Sequence, residues 1–187
     1  MEKRTGAAQR SRQAHKPPQR GNGSRILVVI AVVLAVMMAG NGCTNVDDDR
    51  AFGSCRIDLT NISNWTIYGV NGLGTYRYFV KDRRLPSNFP YTATTYTGLG
   101  GVLLIDVGVG ATQPVAYEMS CPYERKKSVA VQMDDATLEA VCPECKSRFN
   151  VLMANGMGVE GPAAKQHMGM HRYKVTATAS GGYLITN

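Results

Sequence analysis

The sequence is poor in histidine and lacks the residue patterns of nucleotide-binding and hydrolytic enzymes. Only three histidines occur in 187 residues, and two of them, His167 and His171, lie beyond the N-terminal leader. No glycine-rich phosphate loop precedes a helix, and no combination of serine, histidine and carboxylate indicates a nucleophile. We therefore expect a protein that is not an enzyme.

A basic surface of the kind that binds nucleic acids is missing from most of the chain. The formal net charge is +7, but seven of the 21 Lys and Arg residues and one of the 14 acidic residues precede Cys43. The remainder has 14 basic and 13 acidic residues and is nearly neutral. Because phosphate recognition needs an excess of Lys and Arg, we expect no nucleic-acid partner.

Residues 1–42 have the pattern of an export signal with a long basic start. An uninterrupted apolar run, residues 26–39, is followed by small residues and then by Cys43. The run is shorter than the roughly 20 apolar residues that span a bilayer, which favours a cleaved signal peptide over an uncleaved anchor helix. The small residues before Cys43 resemble a bacterial lipobox, in which the cysteine is acylated, although Gly40 stands where leucine is usual.

Residues 43–54 form a short tether that contains three successive aspartates, Asp47 to Asp49. These aspartates suit a solvated linker, and they also resemble the acidic tag of lipoproteins that reach the outer face of the outer membrane. We expect Cys43 to anchor the protein to the membrane, since two or more acyl chains hold a protein there stably. The predicted location is the cell envelope, as an outer-membrane lipoprotein exposed at the surface.

Between residue 55 and the C terminus, short apolar segments alternate with turn residues, and no helical period is evident. Glycine-rich turns at 98–101, 155–158 and 180–182 separate several of the segments. The pattern predicts one all-β domain, residues 55–187, built as an antiparallel sandwich or barrel. The candidate strands are 56–61, 76–80, 102–107, 115–119, 129–132, 138–141, 149–153, 173–179 and 183–186.

Three cysteines lie in two Cys-Pro turns. Cys142 and Cys145 have the C-P-x-C spacing at which a tight turn presents two thiolates to one metal ion. Cys121 lies 21 residues before Cys142 and is also followed by proline, but position 124, where a zinc ribbon would have a further cysteine, is Glu124. The pattern therefore predicts a metal site with the ligands Cys121, Cys142 and Cys145 and no fourth cysteine.

The residues around the second turn resemble a known family. Residues 142–150 (CPECKSRFN) are similar to the second cluster loop of Rieske [2Fe-2S] proteins, C-P-x-H-G-S-x-F-D. Gly-Pro-Ala at 161–163 and the M-x-x-Y-x-V pattern at 170–175 resemble the end of that domain. The resemblance covers residues 115–187, and it implies a Rieske-like β sandwich or barrel with a two-loop cysteine site.

The resemblance also implies roles for individual residues and shows where the chain departs from the family. Cys121 and Cys142 match the cysteine ligands, whereas Tyr123 and Cys145 occupy the two histidine positions. Ser147 keeps the hydroxyl that bonds a cluster sulfide in the family, and Pro162 lies in the loop that covers the cluster. Because a phenol and a thiol are not imidazoles, and imidazoles hold the second iron, we expect the [2Fe-2S] cluster to be lost.

Three states of these thiols stay open at the level of sequence. In order of expectation, Cys121 forms a disulfide with Cys142 or Cys145, the three cysteines hold zinc with water or a carboxylate, or an iron–sulfur cluster survives with unusual ligands. The expected function is that of an envelope lipoprotein without a cofactor and with a binding or structural role. The alternative is an electron-transfer protein with a modified iron–sulfur or other metal centre. No protein partner is indicated.

Overall fold

The computed structural model of the protein describes residues 52–108, 113–153 and 155–187. All of them belong to one unit of the chain, Asp47–Asn187. The predicted signal peptide, the lipidation site Cys43 and most of the predicted tether lie outside the described residues. None of the helices in the described ranges is long and apolar enough to cross a membrane.

Seven antiparallel strands form the larger of two sheets, which curves into a nearly closed barrel. Their bounds are β1 Cys55–Asn61, β2 Tyr76–Phe79, β3 Tyr96–Thr97, β4 Val102–Ile105, β5 Val115–Glu118, β10 Arg172–Ala177 and β11 Gly181–Thr186. The strands follow one another in the spatial order β2-β4-β5-β10-β11-β1-β3. The hairpin of β10 and β11 pairs Val175 with Ile185, and the same Ile185 lies opposite Ile57 of β1.

A smaller antiparallel sheet carries the second cysteine turn. It contains β6 Gln132–Asp134, β7 Glu139–Val141, β8 Arg148–Asn150 and β9 Met157–Glu160, which are neighbours in chain order. The second turn connects β7 to β8, and the first turn follows β5 of the larger sheet. The prediction of an all-β antiparallel fold with a two-loop cysteine site is therefore confirmed.

Strand β4 separates two apolar cores because it is buried on both faces. Leu103 and Ile105 pack into the core that also contains the buried Cys121 and Cys142. The alternate residues of β4 pack into a second core on the other face. This alternation follows from the two-residue period of a strand, and it places the cysteine turns on well-packed apolar structure.

Local structure departs from the sequence prediction at several short elements. Helix α1, Ile62–Tyr68, begins where the Asn61 side chain accepts a hydrogen bond from the backbone N–H of Ser63 at 2.7 Å. It is too short to show an apolar period, so the pattern could not reveal it. Helix α2, Gly161–Lys165, and a 3₁₀ turn at Lys81–Arg83 are shorter still, with five and three residues.

Several predicted boundaries were wrong in the region around the cysteine turns. The strand predicted at 149–153 ends at Asn150, and β9 was not predicted as a strand. The turn predicted at 155–158 is shorter, and β9 begins within it at Met157. Val129 and Val131, which were predicted to lie in a strand, are buried but precede β6. Both side chains pack in the core that contains Cys121, and the carbonyl of Val129 accepts the N–H of Cys121 at 3.0 Å.

Candidate functional site

The first cysteine turn is held by backbone hydrogen bonds around Cys121. The N–H of Arg125 donates to the carbonyl of Cys121 at 2.8 Å, which closes a tight turn over the intervening residues. Arg125 itself has a φ of 51°, in the left-handed region that ends such turns. The bond between Cys121 and Val129 joins the turn to the segment that leads into β6.

The second turn repeats this backbone arrangement. The N–H of Lys146 donates to the carbonyl of Cys142 at 3.2 Å, and Lys146 has a φ of 59°. A further bond of 2.9 Å from the N–H of Cys142 to the carbonyl of Ser147 closes the loop between β7 and β8. Lys146 therefore takes the left-handed conformation at the position where the family pattern has glycine.

The two turns bring three sulfur atoms together. The Sγ atoms of Cys121, Cys142 and Cys145 all lie within 4.8 Å of one another, and those of Cys121 and Cys145 are 3.7 Å apart. Cys121 and Cys142 are fully buried, and Cys145 is partly exposed. All three are free thiols in this structure. The remaining described cysteine, Cys55, lies in β1 and packs in the second core.

Ser147 connects the second turn to the Gly-Pro-Ala segment. Its hydroxyl is buried, lies 3.1 Å from the Sγ of Cys145 and accepts the N–H of Ala163 at 3.0 Å. Gly161 has a φ of 83°, and a Cβ there would lie 2.7 Å from the Cα of Ser147. The close approach of the two segments requires this glycine. Pro162 occupies the first turn of α2 and is half-buried beside them.

The three thiols differ in their tendency to ionise. Burial raises the pKa of Cys121 to about 12, although the backbone amides of Glu124 and Tyr123 partly oppose that rise. Burial also raises the pKa of Cys142. At Cys145 burial acts in the same direction, but hydrogen bonds from Ser147 and the neighbouring cysteines outweigh it and lower the pKa. Cys145 is thus the thiol that most readily becomes a thiolate.

The remaining candidate residues lie at the edge of the sulfur group or away from it. The side chain of Tyr123 points outward from its turn, and the residue is 40% exposed. His167 is exposed, while the ring of His171 stacks on Phe52 with 4.8 Å between centroids. Within the described ranges, neither histidine belongs to the group of sulfur atoms.

Glu124 faces a basic side chain next to the first turn. Its carboxylate lies 3.3 Å from the Nζ of Lys126, which also lies 3.5 Å from the carboxylate of Glu144 in the second turn. The Glu124 side chain is only 16% exposed, whereas that of Glu144 is 52% exposed. Lys126 thereby bridges the two cysteine turns.

Sequence reasoning missed a buried glutamate that positions the first cysteine turn. Glu118, the last residue of β5, is fully buried and accepts the hydroxyl of Tyr173 at 2.6 Å. The carboxylate also accepts the N–H groups of Leu99, Gly100 and Ser120 at 2.8, 2.7 and 2.7 Å. One side chain thus ties β10 and the glycine-rich turn to the residue before Cys121. The residue pattern of β5 did not indicate this role, because all four residues of the strand are buried and charged residues are rarely buried.

The comparisons with known proteins are sparse. No protein-family model and no curated protein sequence matches the chain. Among solved structures, the ferredoxin of carbazole 1,9a-dioxygenase from Nocardioides aromaticivorans IC177 is similar, with a TM-score of 0.37 and 13% sequence identity. The match covers 71% of this chain and 97% of that chain. A TM-score this low assigns neither a family nor a chemistry, so the fold rests on the strands and turns described above.

Proposed function

We propose that this chain is a non-enzymatic lipoprotein of the cell envelope whose Rieske-like domain has lost its [2Fe-2S] cluster and serves a binding or structural role. The observation that carries the proposal is the contact between the sulfur atoms of Cys121 and Cys145, which lie 3.7 Å apart. In the family, the residues at these two positions bind different iron atoms.

A Rieske-like scaffold is supported by the arrangement of the residues that carry the sequence resemblance. Cys121 and Cys142 begin two turns with matching backbone hydrogen bonds. The buried hydroxyl of Ser147 lies beneath the second turn, and the N–H of Ala163 in the Gly-Pro-Ala segment donates to it. These parts are far apart in sequence and meet at one end of the smaller sheet.

A [2Fe-2S] cluster does not fit the residues at this site. The family centre needs two imidazoles on its second iron, and this chain offers Tyr123 and Cys145 at those positions. The first of these is a 40% exposed phenol. The second lies 3.7 Å from the sulfur of Cys121, whereas the family residues at these two positions bind different iron atoms.

A location in the envelope is supported by the sequence alone. Residues 1–42 have the composition of a signal peptide, and Cys43 is preceded by small residues and followed by aspartates. The nearly neutral charge of the remaining chain is consistent with a protein that binds no nucleic acid. The chain lacks a recognisable nucleophile and base, which supports a role other than catalysis.

A second function, electron transfer at a modified metal centre, is favoured by one observation. The three sulfur atoms converge within 4.8 Å, a separation at which one metal ion can contact all of them. An iron ion held by thiolates alone would supply a redox couple without any imidazole.

Metal and sulfide analysis of the full chain, purified in detergent without oxygen, separates the two functions. We expect neither iron nor acid-labile sulfide, and no visible absorption or electron paramagnetic resonance signal. Two irons and two sulfides per chain would refute the proposal, and one iron without sulfide would favour the second function. Cys142→Ser should remove any bound iron, and Cys55→Ser is the matched control because Cys55 lies in the other core.

A further inference from the structure

We infer that Cys121, Cys142 and Cys145 form a mononuclear site for a zinc-class divalent ion, with the carboxylate of Glu124 as the fourth ligand. The inference deepens the proposed function and rests on it, because a [2Fe-2S] cluster and a single ion would occupy the same sulfur atoms. It assigns a structural role to the site: one ion would hold the two cysteine turns together.

The spacing of the sulfur atoms matches one tetrahedral ion. With zinc–sulfur bonds of about 2.3 Å, the edge between two sulfurs of a tetrahedral site is about 3.8 Å. Cys121 and Cys145 are 3.7 Å apart, and no pair in the group exceeds 4.8 Å. An ion would therefore need only a small contraction of the group.

Backbone amides act on two of the sulfur atoms, and a hydroxyl lies beside the third. The backbone amides of Glu124 and Tyr123 act on Cys121, and those of Cys145 and Glu144 act on Cys142. The hydroxyl of Ser147 lies 3.1 Å from the sulfur of Cys145. A disulfide would join two neutral sulfurs and leave the third without a partner, whereas a metal ion uses all three and their donors.

The matching backbone of the two turns identifies the fourth ligand. Glu124 follows Cys121 by three residues, as Cys145 follows Cys142, and the next residue in each turn is left-handed and donates to the first cysteine. The Cα–Cβ bond of Glu124 therefore has the same direction relative to the first turn as that of Cys145 has relative to the second turn. This geometry explains why the Glu124 side chain is only 16% exposed beside a solvated lysine.

The carboxylate of Glu124 lies outside the group of sulfur atoms in this structure, so its side chain would have to rotate to bind the ion. Its carboxylate at present pairs with Lys126, whose side chain is 56% exposed, and an ion pair this exposed contributes little to stability. Lys126 keeps a partner when Glu124 turns away, because Glu144 lies 3.5 Å from the same Nζ.

Thiolate ligands favour zinc-class ions over magnesium or calcium.

Titration of the reduced, metal-free full chain with Co²⁺ tests the site, since Co²⁺ reports coordination by its absorption. We expect one Co²⁺ per chain, with the intense visible bands of a tetrahedral site and with sulfur-to-metal charge transfer. Zn²⁺ should displace the Co²⁺ and abolish the bands. A reduced chain that binds no Co²⁺, or binds it without charge-transfer bands, overturns the inference.

The carboxylate ligand is tested by a matched pair of isosteric variants. Glu124→Gln should weaken Co²⁺ binding by roughly tenfold or more and shift the visible bands, as expected when a metal ligand is replaced. Glu144→Gln removes the other carboxylate beside Lys126 and should leave both affinity and spectrum unchanged. Equal effects of the two substitutions would overturn the assignment of Glu124, and neither change alters a buried residue that the fold needs.

The outcomes separate this inference from the proposed function. Two irons and two sulfides in the protein purified without oxygen would refute the proposed function and this inference together. A chain that holds neither iron nor sulfide and also fails to bind Co²⁺ would overturn this inference alone. A disulfide between Cys121 and Cys145 that persists in the protein isolated from cells, with no zinc present, would also overturn this inference alone.

Discussion

The hydrogen bond from the Tyr173 hydroxyl to Glu118 should contribute more to stability than the hydrogen bond of any other tyrosine hydroxyl in the described ranges. It is 2.6 Å long, fully buried and directed at a carboxylate that receives three backbone N–H groups as well. Hydrogen bonds to charged groups contribute about 1.5–3 kcal/mol, against about 0.5–1.5 kcal/mol for neutral pairs. Tyr173→Phe keeps the ring and removes this bond, so we expect a loss of about 2 kcal/mol.

Tyr117→Phe provides the matched control. Tyr117 is as deeply buried as Tyr173, but its hydroxyl donates to the neutral carbonyl of Val151 at 3.2 Å. We expect this substitution to cost about 1 kcal/mol.

Urea unfolding of the purified protein, followed by circular dichroism, measures both effects. With a denaturant dependence of about 2 kcal/mol per molar urea, the midpoint should fall by about 1 M for Tyr173→Phe and by about half as much for Tyr117→Phe. A smaller effect of Tyr173→Phe than of Tyr117→Phe would refute the reasoning. Gly98→Ala should be at least as damaging as Tyr173→Phe, because its Cβ would overlap the oxygen atoms of both Tyr173 and Glu118.

Three other predictions address the second turn, the smaller sheet and the lipid anchor. Ser147→Ala leaves the N–H of Ala163 buried without its acceptor, so the free energy of unfolding should fall by about 1–3 kcal/mol, and an unchanged urea midpoint would contradict this. Arg148 lowers the pKa of Asp134, so Arg148→Met should reduce stability at pH 7, where Asp134 is ionised in both folded and unfolded chains. The contribution of this ion pair is lost as the pH falls through the folded-state pKa of Asp134, which lies below 3.8. The difference in urea midpoint between Arg148→Met and the unchanged protein should therefore shrink between pH 5 and pH 3. A constant difference would argue against the ion pair. Cys43→Ala should abolish metabolic labelling of the protein by palmitate, and labelling that persists in this variant would place the acyl chains elsewhere.

The fold class and the three cysteines that meet at the candidate site could be predicted from sequence, because both depend on local patterns. Short apolar segments between glycine turns specify antiparallel strands. The Cys-Pro turns at 121 and 142 are recognisable from a few neighbouring residues, and each closes with a hydrogen bond to the carbonyl of its first cysteine. Ser147 and the Gly-Pro-Ala segment were identified by resemblance, and the structure places both next to the second turn.

Helix α1 and the buried Glu118 could not be predicted in the same way. The helix spans seven residues and buries none of them, so it leaves no periodic signal. Glu118 belongs to a strand in which every residue is buried. Its four partners come from the glycine-rich turn, β10 and the residue before Cys121, and only the pairing of distant strands brings them to one carboxylate.

What the sequence alone determined is the chemistry that the two turns can offer: three thiols, a serine hydroxyl and no imidazole at positions 123 and 145. Tertiary structure decided which of these groups meet. Cys121 and Cys145 are 24 residues apart, and they meet at 3.7 Å where residues of β5 and of the smaller sheet share one apolar core. Cys55 lies in the second apolar core, away from these sulfur atoms. Residue identity is a local property of the chain, whereas distances between sulfur atoms follow from long-range strand pairing and close packing of the core.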